Sequence, residues 1–138
     1  MILLDANIPM YAAGRVHPCK EPSLRVLRAI AEGTLNAAVD AEVLQEILHR
    51  YRAIDRWDDG LHVYRLLRVA VPTTLPITAK VLDRARDLMV SDAQLLARDA
   101  VHAAVCLESG AAAFCSYDRD FDRVVGIVRR TPEELVAA

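Results

Sequence analysis

The sequence predicts an α/β fold, a short parallel sheet flanked by helices. Three observations carry that prediction. Short apolar runs (ILL at 2–4, TLNAAV at 34–39 and AAAFCS at 111–116) read as buried strands. The segments between them repeat apolar residues at helical spacing. Strands that alternate with helices pair in parallel, because each helix carries the chain back to the same end of the sheet.

The elements follow in chain order. ILL ends on Asp5, after which the chain turns through Asn7 and Pro9. A helix over SLRVLRAIAEG carries Leu24, Leu27, Ile30 and Ala31 on one face and stops at Gly33. Asp40 then caps a helix with Val43, Leu44, Ile47, Leu48 and Tyr51 on one side. The helix DDGLHVYRLLRVA turns Leu61, Tyr64 and Leu67 inward and its arginines outward. VPTTLPIT is broken by prolines and holds at most a short edge strand. Thr78 caps a helix with Val81, Leu82, Ala85 and Leu88, and RDAVHAAVCLESG forms the next, with Asp99 in its first turn and Gly110 at its end. AAAFCS runs into Tyr117 and Asp118, GIV (126–128) makes a last strand, and Pro132 opens a terminal helix. No repeat or linker divides the chain, so residues 1–138 are read as one domain.

Composition narrows the function classes. At 138 residues and 54% hydrophobic, the chain can bury a core and is not disordered. No uncharged stretch is long enough to span a bilayer, and the N-terminus lacks the basic region of a signal peptide, so a cytoplasmic protein without a membrane role is expected. The three cysteines, odd in number and without CxxC spacing, argue against a disulfide framework. The net charge of −2 gives no general attraction to nucleic acid, so only a local patch can provide one. Arg15, Arg25, Arg28, Arg50, Arg52 and Arg56 are the candidates, although most belong on solvated helix faces.

The acids are the more informative residues. Asp5 and Asp118 both follow buried strands and therefore fall on the same edge of a parallel sheet, where α/β folds place their reactive groups. Asp99, in a first helical turn, belongs near that edge. Glu46, on the helix after the second strand, is a fourth candidate. Each has a plain structural reading: a turn for Asp5 and Asp118, favourable charge at a helix start for Asp99, and a solvated face shared with Glu42 for Glu46. Together they mean more. Two carboxylates about 5 Å apart repel by roughly 3 kcal/mol at an effective dielectric near 20. They must take up protons or share a cation, and oxygen ligands select Mg²⁺ or Mn²⁺. Such a site can activate water for attack at phosphorus.

LLDANIPMYA, VLQEIL, RDAVHAAVCLESGA and SYDRDF, in this order and spacing, resemble the PIN-domain ribonucleases, and in particular the toxins of VapBC-type toxin–antitoxin pairs. The resemblance covers almost the whole chain. It implies a three-layer sandwich with a short, mostly parallel central sheet, and a metal-dependent endoribonuclease with Asp5, Glu46, Asp99 and Asp118 binding Mg²⁺ or Mn²⁺. Asn7 matches a polar residue supporting the first acid, and Ser116 a hydroxyl that positions metal or water. Asp120 matches the acid of a terminal acid–Phe pair and ranks after Asp118. The resemblance further implies a homodimer, an inhibitory antitoxin and an RNA substrate, of which tRNA is one. Two positions depart from the family pattern: Ala6 stands where Thr or Ser is common, and Asp40 where a small hydroxyl residue caps the helix.

Other readings weaken on inspection. His102 with Cys106, or His17 with Cys19, matches no standard zinc spacing. Ser116 lacks a nucleophile elbow, and no glycine-rich phosphate loop is present. A phospho-accepting receiver needs a second acid beside Asp5 and a late lysine; Ala6 follows Asp5, and the last lysine is Lys80. The remaining alternative to an enzyme is a non-catalytic PIN-like module that binds RNA or protein.

Overall fold

The computed structural model describes residues 1–137. Its strands are β1 (Ile2–Leu4), β2 (Ala37–Asp40), β3 (Thr74–Leu75), β4 (Ala113–Cys115) and β5 (Arg129–Arg130). They pair in the order β3-β2-β1-β4-β5, every pair parallel. The helices are α1 (Asn7–Ala13), α2 (Lys20–Ala31), α3 (Ala41–Ala53), α4 (Trp57–Ala70), α5 (Ala79–Ser91), α6 (Ala97–Ser109) and the short α7 (Pro132–Leu135), with a 3-10 turn at Arg119–Arg123. Among the described residues, no helix is long and apolar enough to cross a membrane.

Strands buried on both faces explain the short apolar runs. Side chains alternate across the sheet. Leu4, Val39 and Cys115 enter one core, with Ile8, Val26, Ile47, Val63 and Leu67 from α1–α4. Leu3, Ala38 and Phe114 enter the other, with Val81 and Ala85 of α5, Ala100 and Ala103 of α6, and Phe121. The sheet thus lies between two helical layers, the three-layer architecture expected.

The capping residues act as the sequence suggests. Asp40 accepts from the Val43 N–H at 3.0 Å, and Thr78 from the Val81 N–H at 3.2 Å. Gly110, in the left-handed region (φ +67°), ends α6.

Four details differ from expectation. Residues 7–13 form α1 rather than a turn: Pro9 lies in the first turn, where its missing N–H costs nothing. The second strand begins at Ala37 rather than Thr34, because Thr34 and Leu35 bond back to Ala29 at the end of α2. The last strand lies at 129–130 instead of 126–128, because Gly126 (φ +91°) and Ile127, bonded to Val124, still belong to a turn. Leu61, expected to face inward, is exposed. In α4 the buried stripe is Gly60, Val63, Leu67 and Ala70, one position round from the one expected.

Gly60 explains that rotation. It faces Tyr51 of α3, and a Cβ built on it would stand 2.5 Å from the Tyr51 Cβ. That atom is fixed to backbone and cannot swing away. Gly60→Ala gains about 1 kcal/mol of helix propensity against an overpacking cost of about 1–3 kcal/mol. The clash is expected to win, lowering the thermal midpoint by roughly 2–8 °C, as followed by circular dichroism.

Candidate active site

Parallel pairing of Leu4 with Cys115 sets Asp5 and Ser116 side by side beyond the strand ends. The Asp5 N–H bonds to the Cys115 carbonyl at 2.9 Å. The Ser116 hydroxyl donates to Asp5 Oδ2 at 2.6 Å and accepts from Asn7 Nδ2 at 3.2 Å and from the Asp118 N–H at 2.9 Å. One hydroxyl thereby joins the start of α1 to both strand ends. Asp5 Oδ1 accepts from the Ala6 N–H at 2.7 Å. Backbone thus supplies a hydrogen bond to the first acid, and the Ala6 methyl packs in the core.

Asp5, Glu46, Asp99 and Asp118 line one concavity of about 380 Å³, with Asn7, His49, Arg50 and Arg98 among its other walls. Asp99 comes from the first turn of α6. Ligand-capable oxygens of Asp99, Asp118 and the exposed Asp120 lie within 4.8 Å of one another. Glu46 does not point to open solvent as its helical wheel suggests. Its Oε1 accepts from Arg98 Nη1 at 3.2 Å, and its Oε2 lies 3.9 Å from His102 Nε2. Among the described residues, Glu42 pairs with Arg98 alone, at 3.6 Å.

His102, set aside in the sequence with the zinc alternative, stands beside this site. It is 1% exposed, and its Nδ1 lies 2.6 Å from Oδ2 of the equally buried Asp40. Asp40, noted in the sequence as a departure, therefore caps α3 with one oxygen and holds an imidazole with the other. The available signal was the pairing of two unusual polar residues, but they stand 62 positions apart. Cys106, the other half of the zinc alternative, is buried in the apolar core.

Charge is distributed unevenly over the site. Burial pushes the Asp5 carboxyl up to about 6, against the charge of His102 and the Ser116 hydrogen bond. Burial, and then the charge of Asp118, also raises Asp99. Burial would raise Glu46 too, but the cations of His102 and Arg98 hold it below the usual range. For His102, burial would strip the proton, yet Asp40 and Glu46, with Asp5 behind them, push its pKa up to about 10.

These residues fit a divalent cation. The donors are hard carboxylates, two of which resist ionising where they stand. Two further polar atoms, Asn7 Oδ1 and His102 Nε2, are buried without a hydrogen-bond partner. The concavity continues past Asn7, Met10 and Arg50 into a groove lined by Tyr11, Arg15 and His17, and then by Arg56 and His62. Of the six candidate arginines, Arg15, Arg50 and Arg56 face this path. Arg28 pairs with Glu21, and Arg52 lies over Trp57.

Sheet order, strand-end acids and bounding helices define a known class, and residues 2–127 match the PIN domain family model. The chain belongs to the PIN domain family. More particularly, it is 41% identical over 129 residues to VapC ribonuclease Mb1869c of Mycobacterium bovis, covering 94% of this chain and 98% of that one. Ribonuclease VapC7 of Mycobacterium tuberculosis is 35% identical, with 96% and 92% covered. Solved structures share the fold at low identity. VapBC2 of Rickettsia felis, bound to a promoter DNA fragment, superposes with TM-score 0.77 at 18% identity over 95% of this chain and 98% of that one. VapC20 of Mycobacterium tuberculosis, a sarcin-ricin loop cleaving toxin, gives 0.74 at 16% over 93% and 97%.

The buried imidazolium predicts a pH dependence. A histidine whose folded pKa is raised contributes stability that is fully present below its unfolded value near 6.5 and is lost as pH rises through about 10. Metal-free protein is therefore expected to lose on the order of 2–3 kcal/mol between pH 6.5 and 8.5. Thermal melts in EDTA across that range check this, and His102→Gln is expected to flatten the slope.

Proposed function

We propose that the protein is a metal-dependent endoribonuclease, the toxin of a type II toxin–antitoxin pair. The observation that carries this reading is the convergence of Asp5, Glu46, Asp99 and Asp118, from four different parts of the chain, on one concavity. The family and the 41% identical VapC relative point the same way.

Asp5, Glu46, Asp99 and Asp118 would together hold Mg²⁺ or Mn²⁺. When bound, the ion supplies a nucleophilic water and offsets charge developing at phosphorus. The chain's own residues do the positioning. Ser116 and the Ala6 N–H lock the Asp5 carboxylate, and Asn7 braces it through Nδ2 at 3.3 Å. Asp120 stays at the rim, its N–H donating to Asp118 Oδ1 at 2.9 Å and so orienting that carboxylate. Arg50 stands where the concavity meets the groove and can hold a phosphate without reading bases.

The protein acts in the cytoplasm on RNA, with tRNA as a candidate substrate, and works as a homodimer. A cognate antitoxin restrains it by covering the acidic concavity. Solved relatives of the same fold include a toxin–antitoxin complex from Klebsiella pneumoniae (TM-score 0.66, 17% identity, 97% of this chain and 99% of that one).

The test uses total cellular RNA with mapping of new ends. Wild-type protein with Mg²⁺ or Mn²⁺ is expected to cut at discrete positions, and EDTA to abolish cutting. Asp99→Asn, a near-isosteric change at a half-buried position in the first turn of α6, is expected to keep the fold and lose about 100-fold or more in rate. RNA bound but never cut, under any metal condition, would favour the non-catalytic module instead.

A further inference from the structure

We propose that His102, held by Asp40, is a nitrogen ligand of the site's cation, shared with Asp5 and Glu46; this rests on the metal-dependent reading above. Three observations carry it. The ligand-capable atoms of Asp5, Glu46 and His102 lie within 4.8 Å of one another, a second cluster beside that of Asp99, Asp118 and Asp120. The imidazole Nε2 is buried and has no hydrogen-bond partner; at 3.9 Å, Glu46 is too distant to be one. The ring cannot turn that atom elsewhere. Asp40 fixes Nδ1, and Phe114 and Phe121 flank the ring at centroid distances of 5.9 and 6.4 Å.

Burying an imidazole against a carboxylate is an expensive way to fill a core, because an apolar pair of the same volume packs at least as well. The expense is explained if the dyad has a ligand to meet. A carboxylate that accepts from Nδ1–H leaves Nε2 as the coordinating nitrogen and raises its basicity, the usual support for metal-bound histidine. Nitrogen ligation also changes which ion is preferred. Mg²⁺ favours oxygen donors, whereas imidazole suits transition ions, so Mn²⁺ is expected to bind more tightly than Mg²⁺.

The test is pulsed electron paramagnetic resonance of Mn²⁺ bound to the full chain. His49 lines the same concavity and is exposed, so His49→Gln serves as the host and removes its nitrogens. The expected result is the coupling of a directly bound imidazole nitrogen, which changes to the ¹⁵N pattern when histidine alone is labelled. His102→Gln in that host is expected to lose the coupling and weaken Mn²⁺ binding about tenfold or more, while Mg²⁺ binding changes less. If that variant does not fold, the labelling experiment on the host decides alone. Mn²⁺ bound without imidazole coupling overturns the inference and leaves the metal-dependent nuclease standing. Failure to bind Mn²⁺ at all overturns both.

Discussion

The site depends on the pairing of β1 with β4, strands from opposite ends of the chain. Their register, Leu4 against Cys115, makes the next residue on each strand a neighbour across the sheet edge. Those residues are Asp5 and Ser116, bonded at 2.6 Å. A slip of one residue would turn Ser116 to the other face and part them. The two cores prevent it, because Leu4 and Cys115 belong to one apolar layer and Leu3 and Phe114 to the other. Apolar burial with no chemistry of its own thus sets the position of the chemical groups.

Features encoded locally were legible in the sequence. The caps at Asp40 and Thr78, the stop at Gly110 and the buried strands each rest on a few adjacent residues. The terminal acids were legible for the same reason, since a parallel sheet puts every strand end on one edge. What stayed hidden was set by packing between distant elements. Glu42 and Glu46 stand one turn apart on α3, and local pattern does not separate them. The structure separates them because Glu46 stands over His102, while Glu42 reaches no further than Arg98. The stripe on α4 stayed hidden because Gly60 carries no hydrophobic signal, although it packs directly against Tyr51 of α3. Helix α1 was hidden by Pro9 and by a start that has no side-chain cap.

The polar pair beneath the acids resolves a difficulty that any such site poses. Four carboxylates gathered beside a sheet edge oppose folding unless their charge is met before an ion arrives. Here a proton on His102 meets it for Asp40 and Glu46, Arg98 adds a second cation at the rim, and Asp5 and Asp99 hold their own protons more tightly than free carboxyls do. The chain can therefore fold with its acids already in place. The departure at Asp40 then has a physical reason. A hydroxyl cap would satisfy the Val43 N–H equally well, but it would supply no charge to hold a buried imidazole against the acids.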